Sequence, residues 1–201
     1  ARLLDFTRAL GWKGLNLDLM YGLPRQDLER FARTLEQAIA LRPDRLAVFG
    51  YAHVPWMKPH QRKLDGFPRA DTRDRARMML HARRVLTQAG YDALGLDHFA
   101  LPHDDLAIAH REGRLHRNFM GYTTLPDVDM IGLGVSAISE VGGVFWQSEP
   151  KLARWGRKVE AHLPTAVRGW ASTAEDRLRR DVIYGLMCNL RVDIPAIEQA
   201  H

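Results

Sequence analysis

The stretch "DRLAVFGYA", residues 44–52, decides the fold. Its centre, Leu46 to Phe49, is apolar without a break, which is typical of a strand buried on both faces. The alternating run "LNLDLMY" (residues 15–21) precedes it, and "GYDALGLDHFAL" (residues 90–101) follows it. We interpret the three stretches as three strands.

Helical spacing fills both gaps between these strands. Asp27 is a suitable N-cap for a helix whose apolar residues recur every three or four positions: Leu28, Phe31, Leu35 and Ile39. The segment from Asp71 to Ala89 is also predicted to be helical. A strand–helix–strand–helix–strand order at this spacing favours parallel βαβ units, so we expect an α/β fold with its ligand at the carboxyl ends of the strands. The segments predicted there are "DLMYGLP" (18–24), "GYAHVP" (50–55) and "DHFALPHDD" (97–105).

Beyond residue 113 the pattern changes to short β-like stretches punctuated by glycine, followed by helix-like segments. One predicted helix covers residues 149–163, and another covers about 173–190 with an apolar face of Leu178, Val182, Leu186 and Leu190. Ser172 and Glu175 have the spacing of a capping box for that last helix. We place a domain boundary between residues 1–150 and residues 151–201.

Composition excludes several classes of protein. The chain has 201 residues, of which 46% are apolar and 26% charged, so it is not a disordered segment. A single cysteine, Cys188, excludes an intramolecular disulfide framework and is expected to be a core residue. No apolar run approaches the ~20 residues that span a bilayer, and cytoplasmic localisation is expected. The formal charge of +5 suits a polyanion or a small carboxylate-bearing substrate.

The two ends of the sequence have helical patterns that begin or stop abruptly. The chain starts inside a helix-like pattern, and Asp193 with Pro195 resembles the start of another helix just before the end. We therefore expect the sequence to be a fragment of a longer protein.

Several residues have the chemistry of a metal or ligand site, and each also has a purely structural interpretation. One cluster has the side chains of a Zn or Fe site, with His53 or His60 as additional candidates: Asp97, His98, His103, Asp104 and Asp105. However, "PHDDLAIAHREG" (102–113) also reads as the start of a helix, where acids are favoured. Asp18 is either a surface strand residue or a carboxylate that accepts hydrogen bonds from ribose hydroxyls.

Two further stretches carry alternatives. Arginines alternate with Phe119 and Tyr122 in "REGRLHRNFMGYTT" (111–124). This mixture is typical of a surface on which RNA bases stack, and it is equally suited to a cavity for a flat, carboxylate-bearing ring. "IGLGVSAIS" (131–139) allows close backbone approach to a ligand, but it equally suits a glycine-relieved strand or bulge.

Five motifs in order resemble the oxygen-independent coproporphyrinogen III oxidases of the radical S-adenosylmethionine superfamily. They are "NLDLMYGLPRQ" (16–26), "PDRLAVFGYAHVP" (43–55), "GYDALGLDHFALPHDDLA" (90–107), "REGRLHRNFMGYTT" and "IGLGVSAIS". "LRRDVIYGLMCNLRVD" (178–193) is similar to the start of that family's helical carboxy-terminal domain. Haem-chaperone-like relatives share the "DLMYGLP" strand but lack "YAHVP" and "DHFA"; this sequence contains both.

The resemblance implies the second half of a partial (βα)₆ barrel, followed by a β-rich extension and the beginning of an α-helical domain. It implies S-adenosylmethionine and a [4Fe-4S] cluster as cofactors, with the cluster's cysteines upstream of this chain and no metal ligands within it. The implied reaction is the oxidative decarboxylation of coproporphyrinogen III to protoporphyrinogen IX through a 5′-deoxyadenosyl radical, in haem biosynthesis. An electron donor would be the further partner, nucleic acid would not be one, and the full-length protein would be monomeric. This chain alone is expected to be inactive.

Site residues follow from the same resemblance. Asp18, Ala52 and Ile138 match positions that contact S-adenosylmethionine, and Phe119 matches an aromatic near the substrate. Met120 stands where the family pattern has Gln, and its thioether cannot replace the hydrogen bonds of an amide. His53 is expected to have a structural role, and the resemblance identifies no catalytic residue. A non-catalytic haem-binding relative and a basic RNA-binding module stay open as alternatives.

Overall fold

A computed structural model describes residues 2–12, 14–126 and 128–201, which divide into two compact units, residues 1–113 and 114–201. The first unit has a central sheet with helices. Its elements are α1 (Arg2–Ala9), β1 (Asn16–Tyr21), α2 (Leu28–Leu41), β2 (Arg45–Gly50), a 3₁₀ helix (Pro59–Leu64), α3 (Thr72–Gln88), β3 (Asp92–Leu94), β4 (His98–Ala100) and α4 (Asp105–Arg111).

The two long helices begin where the sequence predicts. The Asp27 carboxylate accepts a hydrogen bond from the Arg30 N–H at 2.8 Å, and the Asp71 carboxylate accepts one from the Asp74 N–H at 2.7 Å. Each bond satisfies a backbone donor that has no partner within the helix, so the chain starts α2 and α3 at these residues.

The sheet has the strand order β1-β2-β4-β3. β1 and β2 are parallel and α2 connects them, which confirms the predicted βαβ unit. The prediction that residues 90–101 form one further parallel strand is wrong: β3 and β4 form a hairpin, and β4 runs antiparallel to β2. The chain reverses at Gly95, whose φ of +53° lies in the left-handed region that glycine adopts readily.

The reversal moves part of the predicted ligand edge to the other end of the sheet. Asp97 lies towards the carboxyl end of β2, where its carbonyl accepts a hydrogen bond from the Val48 N–H at 2.8 Å. Ala100 pairs with Arg45, the first residue of β2. The segment that follows Ala100, including His103 and Asp104, therefore starts from the amino end of β2, and the prediction that all of "DHFALPHDD" lies at the carboxyl edge is wrong.

One face of the sheet packs against α2 and α3 to form the core of the first unit. The buried side chains of this core include Phe31, Leu35, Leu46, Val48, Met78, Leu86 and Phe99. Residues paired across neighbouring strands share a face, so Asp18 and its partner Ala47 lie on the opposite face. β1 thus turns Leu19 and Tyr21 towards the helices and exposes Asp18 on the other side.

The second unit combines short antiparallel strands with helices. Its elements are β5 (His116–Asn118), β6 (Gly121–Thr123), β7 (Ile138–Val141), β8 (Val144–Ser148), α5 (Leu152–Glu160), β9 (Ala166–Ala171), α6 (Ala174–Asn189) and α7 (Ile194–Ala200). β5 and β6 form a hairpin, and β7, β8 and β9 form an antiparallel sheet. The predicted domain boundary at residue 150 stays a prediction. The two compact units are defined by contacts within each unit, and such contacts do not define the limits of a family domain.

The capping box of α6 lies one residue later than predicted. Thr173 and Asp176 form it, with the Asp176 N–H donating to the Thr173 hydroxyl and the Thr173 N–H donating to the Asp176 carboxylate. Ser172 is not the cap, because its N–H still bonds to the Gly143 carbonyl at 2.9 Å and extends the pairing of β9 with its neighbour. The helix begins only when that pairing ends.

Over the described residues, no helix combines the length and hydropathy required to cross a membrane.

Candidate functional site

The carboxyl ends of β1 and β2 form a tightly packed edge that two glycines make possible. A Cβ on Gly50 would lie 2.6 Å from a guanidinium nitrogen of Arg75 and 3.3 Å from the Tyr21 hydroxyl. A Cβ on Gly22 would lie 3.2 Å from Cγ of the same Arg75, and Gly22 has a φ of +76°. The Arg75 side chain therefore crosses both strand ends in the space that side chains at these two positions would occupy.

Ala52 follows this edge, two residues beyond the end of β2, where its side chain is exposed. The Tyr51 N–H donates to the Tyr21 carbonyl at 2.8 Å, so the backbone continues beside β1. On the other side, the Ala52 carbonyl accepts from Gln61 Nε2 at 3.0 Å, and Gln61 Oε1 accepts from the Val54 N–H at 2.6 Å. Within the described part of the chain, the N–H of Ala52 has no hydrogen-bond partner.

His53 is held on both sides of its ring. Nδ1 lies 3.3 Å from the Tyr51 hydroxyl, and Nε2 lies 2.7 Å from an oxygen of Asp65. This arrangement agrees with the structural role that we expect for His53, because both ring nitrogens already have partners that fix the orientation of the ring.

Asp18 is the third of the six residues of β1, rather than a residue at the end of that strand. It is exposed on the sheet face opposite α2 and α3. Asn16 Nδ2 donates to Asp18 Oδ1 at 2.7 Å and orients the carboxylate. Asp18 thus offers an acceptor on one face of β1, and Ala52 lies beyond the end of the neighbouring strand β2.

The metal constellation considered as one interpretation of residues 97–105 is not assembled among the described residues. Over the described residues, no group of three or more His, Cys, Asp and Glu side chains has the arrangement to hold a metal ion. Asp104 Oδ2 instead accepts from Arg45 Nε at 2.7 Å, and Asp104 Oδ1 accepts from the Leu106 N–H at 2.9 Å as the N-cap of α4. His98 Nδ1 lies 2.7 Å from its neighbour Asp97. The hairpin separates these acids and histidines because it sends the chain to opposite ends of the sheet.

Ile138 is the first residue of β7 in the second unit, and a close backbone contact lies beside it. A Cβ on Gly132 would lie 2.5 Å from the Ile138 carbonyl oxygen, and the Gly132 N–H donates to the Ser139 hydroxyl at 3.0 Å. The "IGLG" loop therefore approaches β7 more closely than a residue with a side chain allows. This supports the plainer interpretation of Gly132 as a residue required by packing.

Phe119 and Met120 form the two-residue turn of the β5–β6 hairpin, with 58% and 79% of their surfaces exposed. The turn is fixed by the Asn118 side chain, whose Oδ1 accepts hydrogen bonds from the N–H groups of Met120 at 2.9 Å and Gly121 at 3.2 Å. The hairpin thus presents two large apolar side chains on a rigid tip. An exposed pair of this kind is suited to covering one face of an apolar ligand.

Tyr122 is committed to packing within the second unit. Its hydroxyl donates to the Met187 carbonyl at 3.0 Å, and the Arg117 guanidinium lies 5.0 Å from the centre of its ring. This removes Tyr122 from the RNA-stacking surface considered for this stretch. Cys188 is buried, as expected, and this burial raises the pKa of its thiol, which Arg117 lowers to a smaller extent. The thiol is therefore protonated at neutral pH and poorly suited to bind metal.

Sequence patterns did not reveal the residues that hold the candidate positions in place. Gln61 lies in the 3₁₀ helix, seven residues after Val54, and no motif connects the two. The role of Asn118 could be predicted locally, because an Asn directly before a turn commonly accepts hydrogen bonds from the backbone N–H groups that follow it.

No protein-family model matches the chain. The chain is similar to oxygen-independent coproporphyrinogen III oxidases from several bacteria. It is 46% identical to that of Salmonella typhimurium over 197 residues, which is 98% of this chain and 43% of the relative. It is 38% identical to that of Synechocystis over 200 residues (100% and 43%) and 40% identical to that of Thermostichus vulcanus over 197 residues (98% and 61%).

The fold is also similar to a solved structure, that of coproporphyrinogen III oxidase from Escherichia coli, a radical SAM enzyme. The TM-score is 0.91 at 45% sequence identity, and the match covers 99% of this chain and 46% of that chain. This confirms the predicted α/β fold. The chain spans less than half the length of the Salmonella and Synechocystis relatives.

Proposed function

We propose that this chain, a homologue of part of the oxygen-independent coproporphyrinogen III oxidases, forms the second half of a radical S-adenosylmethionine barrel and the adjoining substrate region. The complete enzyme would convert coproporphyrinogen III to protoporphyrinogen IX. The observation that carries the proposal is the backbone at Ala52, held beyond the carboxyl end of β2 with an unpaired N–H among the described residues. Ligands of parallel α/β sheets bind at this edge.

The residues present suit S-adenosylmethionine. Asp18 offers a carboxylate oriented by Asn16, which is an acceptor for the ribose hydroxyls, and Ala52 offers a backbone donor beside a small side chain. The contact of Ile138 with the cofactor, which the resemblance implies, stays a prediction. The residues do not suit an iron–sulfur cluster, because the chain has a single cysteine and that thiol is buried. Ligands of a cluster would come from outside this chain.

Held by Asp18 and Ala52, S-adenosylmethionine would supply the radical chemistry that the oxidative decarboxylation of a propionate side chain requires, with an external acceptor taking up the electron that the substrate loses with CO₂. The side chains of this chain orient and enclose the reactants, which is the protein's main task in cofactor chemistry. Phe119 and Met120 would cover the tetrapyrrole at the hairpin tip without hydrogen-bonding to it.

The test uses the full-length protein that contains this chain, loaded with iron and sulfide under anaerobic conditions. With S-adenosylmethionine, a reductant, an electron acceptor and coproporphyrinogen III, we expect protoporphyrinogen IX together with 5′-deoxyadenosine and CO₂. The 201-residue chain alone should give none of these. A full-length protein that retains haem but forms no product would replace the proposal with the haem-binding alternative.

A further inference from the structure

Gln61 connects the 3₁₀ helix Pro59–Leu64 to the backbone beyond β2. Its side-chain amide donates to the Ala52 carbonyl at 3.0 Å and accepts from the Val54 N–H at 2.6 Å. In an extended chain, the carbonyl of one residue and the N–H two residues later lie on the same edge, so one carboxamide can satisfy both. The Gln61 amide thus takes the place of the N–H and C=O that one residue of a neighbouring parallel strand would offer.

A second connection reinforces the first. His53, between the two bonded residues, reaches Asp65 at 2.7 Å, and Asp65 directly follows the 3₁₀ helix. The Val54 carbonyl accepts from the N–H groups of Met57 at 2.9 Å and Lys58 at 2.8 Å, which closes the intervening loop into a turn. Residues 52–54 are therefore held by Gln61 and Asp65, directly after Tyr51, whose N–H bonds to β1.

We propose that Gln61 is a positioning residue for S-adenosylmethionine, an inference that rests on the function proposed above for Ala52. It touches neither cofactor nor substrate. Its two hydrogen bonds fix the Ala52 carbonyl and the Val54 N–H on either side of His53, and among the described residues the N–H of Ala52 has no partner. Without Gln61, two backbone groups lose their partners, and the segment must be reordered each time the cofactor binds.

Two substitutions in the full-length enzyme separate the two bonds. Gln61→Leu removes both bonds at nearly constant volume. Gln61→Glu keeps an acceptor for the Val54 N–H but cannot donate to Ala52, and it places a negative charge beside the Ala52 carbonyl. The matched control is Gln37→Leu, because Gln37 is exposed on α2 and makes no side-chain hydrogen bond among the described residues.

Three readouts are required. Hydrogen exchange of the Val54 amide, measured without cofactor, should be faster by about tenfold in Gln61→Leu and close to wild type in Gln61→Glu. The Kd of S-adenosylmethionine for the cluster-loaded enzyme should rise about tenfold in both variants, since net hydrogen bonds of this kind are worth about a factor of ten. The kcat at saturating cofactor should stay within about twofold of wild type, because positioning acts on binding. Gln37→Leu should match wild type in all three.

The proposal is overturned if Val54 exchanges faster in Gln61→Leu while the Kd for S-adenosylmethionine is unchanged, since Gln61 would then stabilise the loop alone. It is also overturned if kcat falls and the Kd does not change. A wild-type enzyme that binds no S-adenosylmethionine would instead refute the proposed function. Circular dichroism identifies any variant that fails to fold, and the Kd of Gln61→Glu then decides the question.

Discussion

The two hydrogen bonds of the Asp104 carboxylate, at the amino end of β2, should make a measurable contribution to the free energy of unfolding. The structure gives its two oxygens separate structural partners, Arg45 and the Leu106 N–H, and only 4% of its side chain is exposed. Asp104→Ala removes an N-cap worth about 1 kcal/mol. It also removes a charge-assisted hydrogen bond worth about 1.5–3 kcal/mol. Arg45 is 28% exposed and reaches solvent after the change, so the larger penalty of a stranded buried charge does not apply in full.

The expected loss is therefore about 3 kcal/mol of unfolding free energy, measured by urea unfolding of the full-length protein with circular dichroism. The neighbouring Asp105→Ala is the matched control: Asp105 is exposed in the first turn of α4, and its removal should cost less than about 1 kcal/mol. A metal site would make the two acids equivalent and the stability sensitive to a chelator. Equal losses in the two variants, or a loss below about 1 kcal/mol for Asp104→Ala, would refute the structural account.

Three further predictions concern other parts of the chain. Gly132→Ala should lower the unfolding free energy by about 1–3 kcal/mol, because the added carbon would lie 2.5 Å from the backbone carbonyl oxygen of Ile138, whereas Gly66→Ala, with nothing within 4 Å, should be nearly neutral in the same urea titration. Hydrogen bonds from the backbone and hydroxyl of Thr173 lower the pKa of Asp176, so this carboxylate stabilises α6 at neutral pH. That stability should be lost as pH falls below the ordinary value of 3.8 through the lowered pKa, and thermal unfolding of wild type and Asp176→Asn should then converge. Cys188 should resist alkylation by iodoacetamide in the native protein at pH 8 and react quickly in urea, because it is buried and its thiol pKa is raised; fast native labelling would contradict this.

Local signals in the sequence predicted the helices well. Asp27 caps α2 as expected, and α3 begins where the helical segment was predicted to start, at its cap Asp71, because an N-cap bond joins residues only three positions apart and needs no tertiary contact. The cap of α6 was predicted one residue early, because the deciding bond, from the Ser172 N–H to Gly143, comes from sheet pairing with a distant residue.

The direction of the strands was harder to predict. The run 90–101 has the composition of a strand throughout, and only the left-handed conformation at Gly95 divides it into a hairpin. That single reversal separates the histidines and acids for which a metal site was one of two interpretations. The support of Ala52 by Gln61 was likewise invisible, because it depends on how a proline-rich loop folds back.

The central claim is that the first unit forms part of a binding site for S-adenosylmethionine. Equilibrium binding of S-adenosylmethionine to the cluster-loaded, full-length Asp18→Ala variant tests it most directly, with Asp105→Ala as the control. We predict that the control binds like wild type and that Asp18→Ala binds at least about tenfold more weakly, since hydrogen bonds to a charged acceptor are worth about 1.5–3 kcal/mol. Unchanged affinity in Asp18→Ala, with wild type binding normally, would contradict the account.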